Sequence, residues 1–206
     1  GSDTTLTWKV LAHRSPDWEN ERIEDGKWVG DARMNLLRHR EESVPWEFPT
    51  DHIDGFTHQW GFTYTVRIRS RAPILNYIEL GPDRVLKFIE TSSRAERDVD
   101  FRIRSIGAPW FGDDRRSFND GQSFSCASED ACRDLDTRLG EDGARFDLRM
   151  RHGINPGILS LVAVEDQTCE TMTDCREPPT HAPGDICCRG QCMASDQCEG
   201  DPWGRD

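Results

Sequence analysis

The chain has no long apolar segment and no excess of positive charge. Its longest mostly apolar stretch, Ile158 to Val164, is far shorter than the roughly 20 residues that a membrane-spanning helix needs. Its 206 residues carry 38 acidic against 26 basic side chains, a net charge of -12. Proteins that bind nucleic acid present net positive surfaces instead. The sequence therefore predicts neither a transmembrane segment nor a nucleic-acid partner.

Cysteine is absent from the first 125 residues and crowded at the other end of the chain. Of the eight cysteines, six lie between Cys169 and Cys198. An even number of clustered cysteines is typical of disulfide-bonded proteins in oxidising compartments. We therefore expect a secreted protein. The start Gly1-Ser2-Asp3 is compatible with the removal of an export signal or a lipid-anchor segment upstream.

Catalytic motifs are also missing from the sequence. There is no Gly-x-Ser-x-Gly elbow, no His-Glu-x-x-His pair and no glycine-rich phosphate loop. The nearest cluster is Asp51-His52-x-Asp54 with His58, which could hold a metal if all four side chains converged. Since it leads into Gly55, capping of a short helix followed by a turn is the simpler interpretation. We expect no enzyme activity, no cofactor and no metal.

Apolar and polar residues alternate in two parts of the chain, which predicts half-buried β-strands. The clearest alternation covers Tyr64 to Ile68 in the first part and Phe146 to Met150 in the second. We expect one β-rich module over residues 1–92 and another over residues 99–166. The polar run from Ser92 to Asp98 is the candidate linker between them.

Each module is expected to contain one short helix. In the second module, Ser128 precedes two acidic residues and predicts a helix start, and Gly140 predicts its end. In the first module there is room for a short helical turn before Gly55. The predicted fold class is therefore mainly β, of the α+β type.

The two modules also align with each other. Gly61 to Ser70 matches Gly143 to His152, and Ile74 to Leu80 matches Ile158 to Val164. One interpretation is a degenerate tandem repeat, since repeated units keep their apolar positions. The other is that any two amphipathic strands align this well by chance.

A set of aromatic and glycine positions connects the first module to a known family. The pattern is Trp46-x-Phe48-x4-Ile53-x-Gly55-Phe56-x4-Gly61-x-x-Tyr64-x-Val66. It resembles the signature of domain of unknown function 4377, found in bacterial secreted proteins and lipoproteins, over residues 28–91. The resemblance implies a β-rich bacterial protein that is secreted, periplasmic or on the outer cell surface. It implies no activity, since the family has no established one. Members tend to carry a cysteine near the strand that Arg33 to Leu37 occupies here, and this chain lacks it.

The C-terminal segment, residues 169–206, has almost no aliphatic side chains and must be held by cross-links. Its spacing is Cys169-x5-Cys175-x11-Cys187-Cys188-x3-Cys192-x5-Cys198. This spacing resembles an inhibitor cystine knot, which implies the pairs Cys169–Cys188, Cys175–Cys192 and Cys187–Cys198. Zinc is the alternative, although only Cys188 and Cys192 approximate a metal-binding hook. Outside this segment, a local disulfide between Cys126 and Cys132 is expected at the start of the predicted helix.

Arginine dominates the outward positions of the predicted strands. The residues are Arg67, Arg69, Arg102, Arg104, Arg149 and Arg151. If their strands are neighbours, the guanidinium groups share one sheet face, and carboxylates of the chain or an outside anion must relieve their repulsion. The six are therefore candidate anion-binding residues. The simpler alternative is a solvated face of internal ion pairs.

These features favour a secreted or cell-surface binding or structural protein without catalytic activity. The alternative is a protease inhibitor or toxin-like binder that acts through the C-terminal module, and an unrecognised hydrolase is third. The expected partners are an extracellular protein, an anionic glycan or a second copy of the chain. Trp110 and Trp203 lie in turn-rich sequence and are candidate exposed contacts.

Overall fold

The structure is a computed structural model that describes residues 4–24, 27–39, 47–50, 53–70, 86–166, 185–188 and 191–194. Its strands are β1 (Thr4–Glu24), β2 (Lys27–His39), β3 (Glu47–Thr50), β4 (Phe62–Ser70), β5 (Leu86–Ala95), β6 (Val99–Ile106), β7 (Ser125–Cys126), β8 (Phe146–His152), β9 (Leu159–Glu165), β10 (Asp185–Cys188) and β11 (Gln191–Ala194). Its helices are a 3-10 turn (Ala108–Trp110) and α1 (Glu129–Gly140). The prediction of a mainly β protein of the α+β type is confirmed. In the described part of the chain, neither helix has the length and apolar character to cross a membrane.

Five strands form the first sheet in the order β3-β2-β1-β4-β5, with antiparallel neighbours throughout. The alternation predicted for β4 is confirmed, because Tyr64, Val66 and Ile68 are buried while Thr65 and Arg67 are exposed. Successive residues of a strand point to opposite faces, so the apolar side chains of β4 enter one core. The rest of this core consists of Trp8, Val10, Leu36, Ile53 and Phe56.

β1 is longer than the sequence indicates. It has 21 residues and pairs with β2 well beyond the part that also pairs with β4. Pro16 lies inside β1, where β2 is its only strand partner among the described residues. Proline is tolerated at such an edge, because its missing N–H breaks no bond to a second neighbour. Asp54 makes an isolated parallel bridge with Lys87 of β5.

Four strands form the second sheet in the order β6-β8-β9-β7, antiparallel except for the pair β7 and β9. The predicted helix α1 is confirmed. Ser128 caps it by accepting a hydrogen bond from the Ala131 amide at 3.2 Å. The buried face of α1 packs in the core of this sheet. Cys126 and Cys132 form the expected disulfide, which ties β7 to the first turn of α1.

The two sheets share a core cluster. Met34 and Trp60 of the first part are buried in the same cluster as the aromatic residues of the second part. Trp110 is fully buried, and its Nε1 donates to the carbonyl oxygens of Asp17 and Arg33 at 3.1 and 3.0 Å. The expectation of an exposed Trp110 is therefore wrong, because the ring is buried and carbonyl oxygens of β1 and β2 accept hydrogen bonds from its N–H.

Two further expectations are not met in the described part of the chain. The short helix of the first part is absent from the described residues, since Glu47–Thr50 forms β3 and residues 53–61 are not helical. Phe48 precedes a proline, and a residue in that position avoids the helical region. The polar run from Ser92 is not a linker either, because its first four residues belong to β5. Only residues 96–98 connect β5 to β6.

The tandem repeat stays a prediction. Both sheets contain an antiparallel triplet with an aligned strand in the middle, β4 in the first and β8 in the second. The other elements differ, because the first sheet adds β2 and β3 whereas the second adds α1 and the parallel strand β7. The aligned segment Ile74 to Leu80 lies outside the described residues.

One hairpin of the C-terminal segment is described. β10 and β11 are antiparallel, and Cys187 is the cross-strand neighbour of Cys192. Each of the three predicted disulfides includes Cys169, Cys175 or Cys198, which lie outside the described residues, as does Trp203. The cystine-knot connectivity therefore stays a prediction.

Candidate functional site

The six arginines expected on one face lie on two different sheets. Arg67 and Arg69 belong to β4 of the first sheet, whereas the other four belong to β6 and β8 of the second. A single six-arginine face is therefore wrong, because the strand partners of β4 are β1 and β5. Arg67 instead forms an ion pair with Glu90 on β5, as the simpler alternative predicted.

The other four arginines do lie together. Their surface is called the arginine face here and consists of Arg102, Arg104, Arg149 and Arg151. Strand alternation turns them outward, because Ile103, Leu148 and Met150 between them are buried. Arg102 and Arg149 are direct cross-strand neighbours. The side chains of Arg102, Arg149 and Arg151 are 46, 45 and 48% exposed.

Two accessible carboxylates lie among these arginines. Glu165 of β9 contacts Arg102 at 2.7 Å, Nη2 to Oε2, and Arg149 at 3.4 Å, Nε to Oε1. Asp100 accepts a hydrogen bond from Nε of Arg151, and this bond lowers the pKa of the Asp100 carboxyl. Glu165 therefore pairs with two guanidinium groups, whereas Asp100 pairs with one.

Arg104 lies beside a buried carboxylate. Asp147 is 4% exposed and accepts a hydrogen bond from the Ser105 amide at 2.8 Å. Burial raises the pKa of Asp147, while this hydrogen bond and the charge of Arg104 oppose the rise. Ser105 has a φ of 51° within a β-bulge, which aims its amide at Asp147. None of the described residues forms an ion pair with Arg104.

The arginine face thus has more guanidinium groups than accessible carboxylates. A guanidinium group offers five N–H donors in a planar fork that fits carboxylate, sulfate and phosphate oxygens. Because Arg102 and Arg149 share Glu165, both keep donors for a second acceptor. Chemically, the face can hold an anion on a chain whose net charge of -12 repels anions elsewhere.

A second polar cluster joins the two sheets. Nε of Arg14 donates to Nδ1 of His58 at 3.3 Å, and Arg14 forms an ion pair with Asp120 at 3.5 Å. Nε1 of Trp60 donates to the same carboxylate at 2.9 Å. Since Nδ1 accepts, His58 carries its proton on Nε2 and donates it to the Leu11 carbonyl at 2.8 Å. Burial lowers the pKa of His58 to about 4, so the ring is neutral at pH 7.

The sequence does not predict this cluster. Its members come from β1, from residues 58–60 and from Asp120, and no local pattern relates them. The candidate metal cluster is not assembled around His58, because both ring nitrogens are already hydrogen-bonded. Asp51 and His52 lie outside the described residues. Among the described residues, no group of three His, Cys, Asp or Glu side chains could hold a metal ion.

Three aromatic rings are stacked near the junction of the two sheets. The ring of Phe101 in β6 stacks against both His13 and His152. Its centroid is 4.7 Å from that of His13 and 4.3 Å from that of His152. His152 is buried, and burial lowers its pKa. Burial therefore disfavours the charged form of this histidine.

Comparison with protein-family models, curated proteins and solved structures gave no match. The resemblance to domain of unknown function 4377 stays a prediction.

Proposed function

We propose that the chain is a secreted or cell-surface binding protein without catalytic activity, which recognises a sulfate- or phosphate-bearing polymer through the arginine face. The observation that carries the proposal is the sharing of Glu165 by Arg102 and Arg149, close to Arg104. Like charges that face each other across a sheet are destabilising, so an outside anion relieves a repulsion that the chain relieves only in part.

The geometry of the sheet suits an extended anionic chain. Residues two apart on one strand are about 6.6 Å apart, and neighbouring strands are separated by about 4.8 Å. Arg102 and Arg104 repeat along β6, and Arg149 and Arg151 repeat along β8. A polymer with regularly spaced anionic groups can contact several guanidinium groups at once and gains affinity from that multivalency. A single small anion contacts fewer guanidinium groups and does not gain affinity in this way.

Export is supported by the disulfide between Cys126 and Cys132. Such bonds persist in oxidising compartments and are rare in the cytosol. Acidic or sulfated polymers are accessible to a protein on the outside of a cell. The compartment and the proposed ligand are therefore compatible.

Binding to dextran sulfate, with neutral dextran as the reference, tests the proposal. Wild type should bind at about 50 mM NaCl and bind much more weakly at about 200 mM, since phosphate-like contacts release counterions. Arg104→Ala/Arg149→Ala should weaken binding about tenfold or more, a change of about 1.4 kcal/mol. The melting temperature should stay close to that of wild type, because these side chains are exposed.

Arg133→Ala is the matched control for charge. Arg133 lies on α1 and is 69% exposed, and its ion-pair partner among the described residues is Asp130 of the same helix. Its replacement should leave binding nearly unchanged. Absence of wild-type binding at low salt, or an equal loss per arginine in the control and in the double variant, would contradict the proposal.

A further inference from the structure

Among the described strands, none covers the outer edge of β5 over its second half. β5 is the last strand of the first sheet, and no described strand pairs with its outer side from Glu90 to Ala95. Before the bulge at Ile89 this edge is covered, since the Phe88 amide donates to the Asp54 carbonyl at 3.0 Å. Residues 90–94 are all exposed. An open edge with free N–H and C=O groups is a template for another strand.

The hydrogen bonds of β5 fix which backbone groups point outward. The Glu96 amide donates to the Gly61 carbonyl at 2.8 Å, on the side of β4. Backbone groups of successive strand residues point to alternate sides. The even-numbered residues from 90 to 96 therefore face β4. Thr91 and Ser93 turn their N–H and C=O groups away from the sheet.

The sequence of this edge is complementary to itself in the antiparallel direction. When two copies pair about Ser92, Glu90 of each copy lies opposite Arg94 of the other. Thr91 then lies opposite Ser93, and these are the residues whose backbone groups face outward. Each of the two symmetric Thr–Ser pairs can exchange both of its N–H···O bonds. No like charges face each other, and Thr–Ser and Glu–Arg cross-strand pairs are favourable.

We infer that the chain forms a symmetric dimer by antiparallel pairing of β5 with β5 of a second copy, which joins two five-stranded sheets edge to edge. A twofold axis through Ser92 makes this interface isologous and closed, so it stops at two copies. The interface lies on the first sheet and does not depend on the arginine face.

Backbone bonds provide the affinity of this dimer, and the charges set its register. Glu90 and Arg94 already have intramolecular partners, the exposed Arg67 and the half-buried Glu96. Water and salt screen ion pairs whose side chains are accessible, so both charges are available for exchange at little cost. Charge pairs at the rim of an interface act mainly on specificity and association rate.

Sedimentation velocity of the full, oxidised chain over a concentration series tests the inference. Wild type should be a dimer that dissociates on dilution. Ser93→Pro should be a monomer, because it removes an outward N–H while every bond from β5 to β4 is kept. Ser93→Ala is the matched control and should dimerise like wild type, since it keeps the amide.

Charge exchange at the same edge gives an independent test. Glu90→Arg places two arginines opposite each other across the dimer, and Arg94→Glu places two glutamates opposite each other. Each single variant should dissociate several-fold more readily than wild type. Glu90→Arg/Arg94→Glu should restore the wild-type constant, because the pairs become opposite charges again.

Several outcomes would overturn the dimer. The dimer is contradicted if the wild type is monomeric at every accessible concentration. It is also contradicted if Ser93→Pro dimerises like the wild type. If Ser93→Pro fails to fold, the charge exchange decides, since a double variant that is no tighter than the singles contradicts the register. Slower deuterium exchange of the Thr91 and Ser93 amides at high protein concentration should accompany dimerisation.

Discussion

The buried position of His58 makes the stability of the protein depend on pH. The pKa of His58 is about 4 in the folded state, against 6.5 for the free side chain, because burial disfavours the imidazolium. Above pH 6.5 the ring is neutral in both states. Below it, the unfolded chain takes up a proton that the folded chain refuses until about pH 4, so stability falls through this window. At about 1.4 kcal/mol per pH unit, the loss reaches about 3 kcal/mol at pH 4.

His58→Gln separates this effect from the rest of the molecule. The amide keeps one acceptor and one donor at the position but has no proton to gain. Between pH 7 and pH 5 the variant should therefore lose about 2 kcal/mol less stability than wild type. Urea unfolding followed by tryptophan fluorescence at the two pH values gives both free energies. Because the comparison is made between two proteins, other titrating groups such as His152 cancel.

Thr57→Ala is the control for a change in the same segment. Thr57 is exposed one residue before His58, and its replacement should leave the pH dependence at the wild-type value. If His58→Gln lost as much stability as wild type between pH 7 and pH 5, burial of a neutral imidazole would be refuted as the cause.

Two further changes test the packing. Gly61→Ala should destabilise the protein far more than Gly121→Ala, although their φ angles are 90° and 91°. A Cβ at Gly61 would lie 2.5 Å from the Gly157 nitrogen, whereas nothing lies within 4 Å of one at Gly121. Equal losses on thermal unfolding would contradict a close contact between the two sheets. Cys126→Ala/Cys132→Ala should cost about 2 kcal/mol in urea unfolding, the chain entropy of a short loop, and an unchanged midpoint would show that the disulfide adds no stability.

Local sequence patterns predict features that depend on residues close together in the chain. The alternation in β4 and the Ser128 cap of α1 are such patterns, and both are confirmed. The alternation predicted for β8 holds from Leu148 to Arg151 but fails at Asp147, which is buried. The length of β1 is not predictable in this way. Pro16 and the polar residues that follow it oppose a strand by propensity, and pairing with β2 overrides that preference.

For the candidate site, the sequence predicted only that arginines occupy outward positions of the strands. Which arginines meet depends on strand pairing between distant segments, such as β6 with β8. That pairing leaves Arg67 on the other sheet and sets Arg102 opposite Arg149. The sharing of Glu165 follows from the register of β9 with β8, which the composition of the strands does not encode.

Glu165→Gln tests most directly whether the arginine face binds an outside anion. The change removes the carboxylate that competes for Arg102 and Arg149, so binding to dextran sulfate should become several-fold tighter than that of wild type at the same salt concentration. Glu141→Gln, on an exposed residue after α1, changes the net charge equally and should give little gain. Binding by Glu165→Gln that is no tighter than that of Glu141→Gln would contradict an anion site on this face.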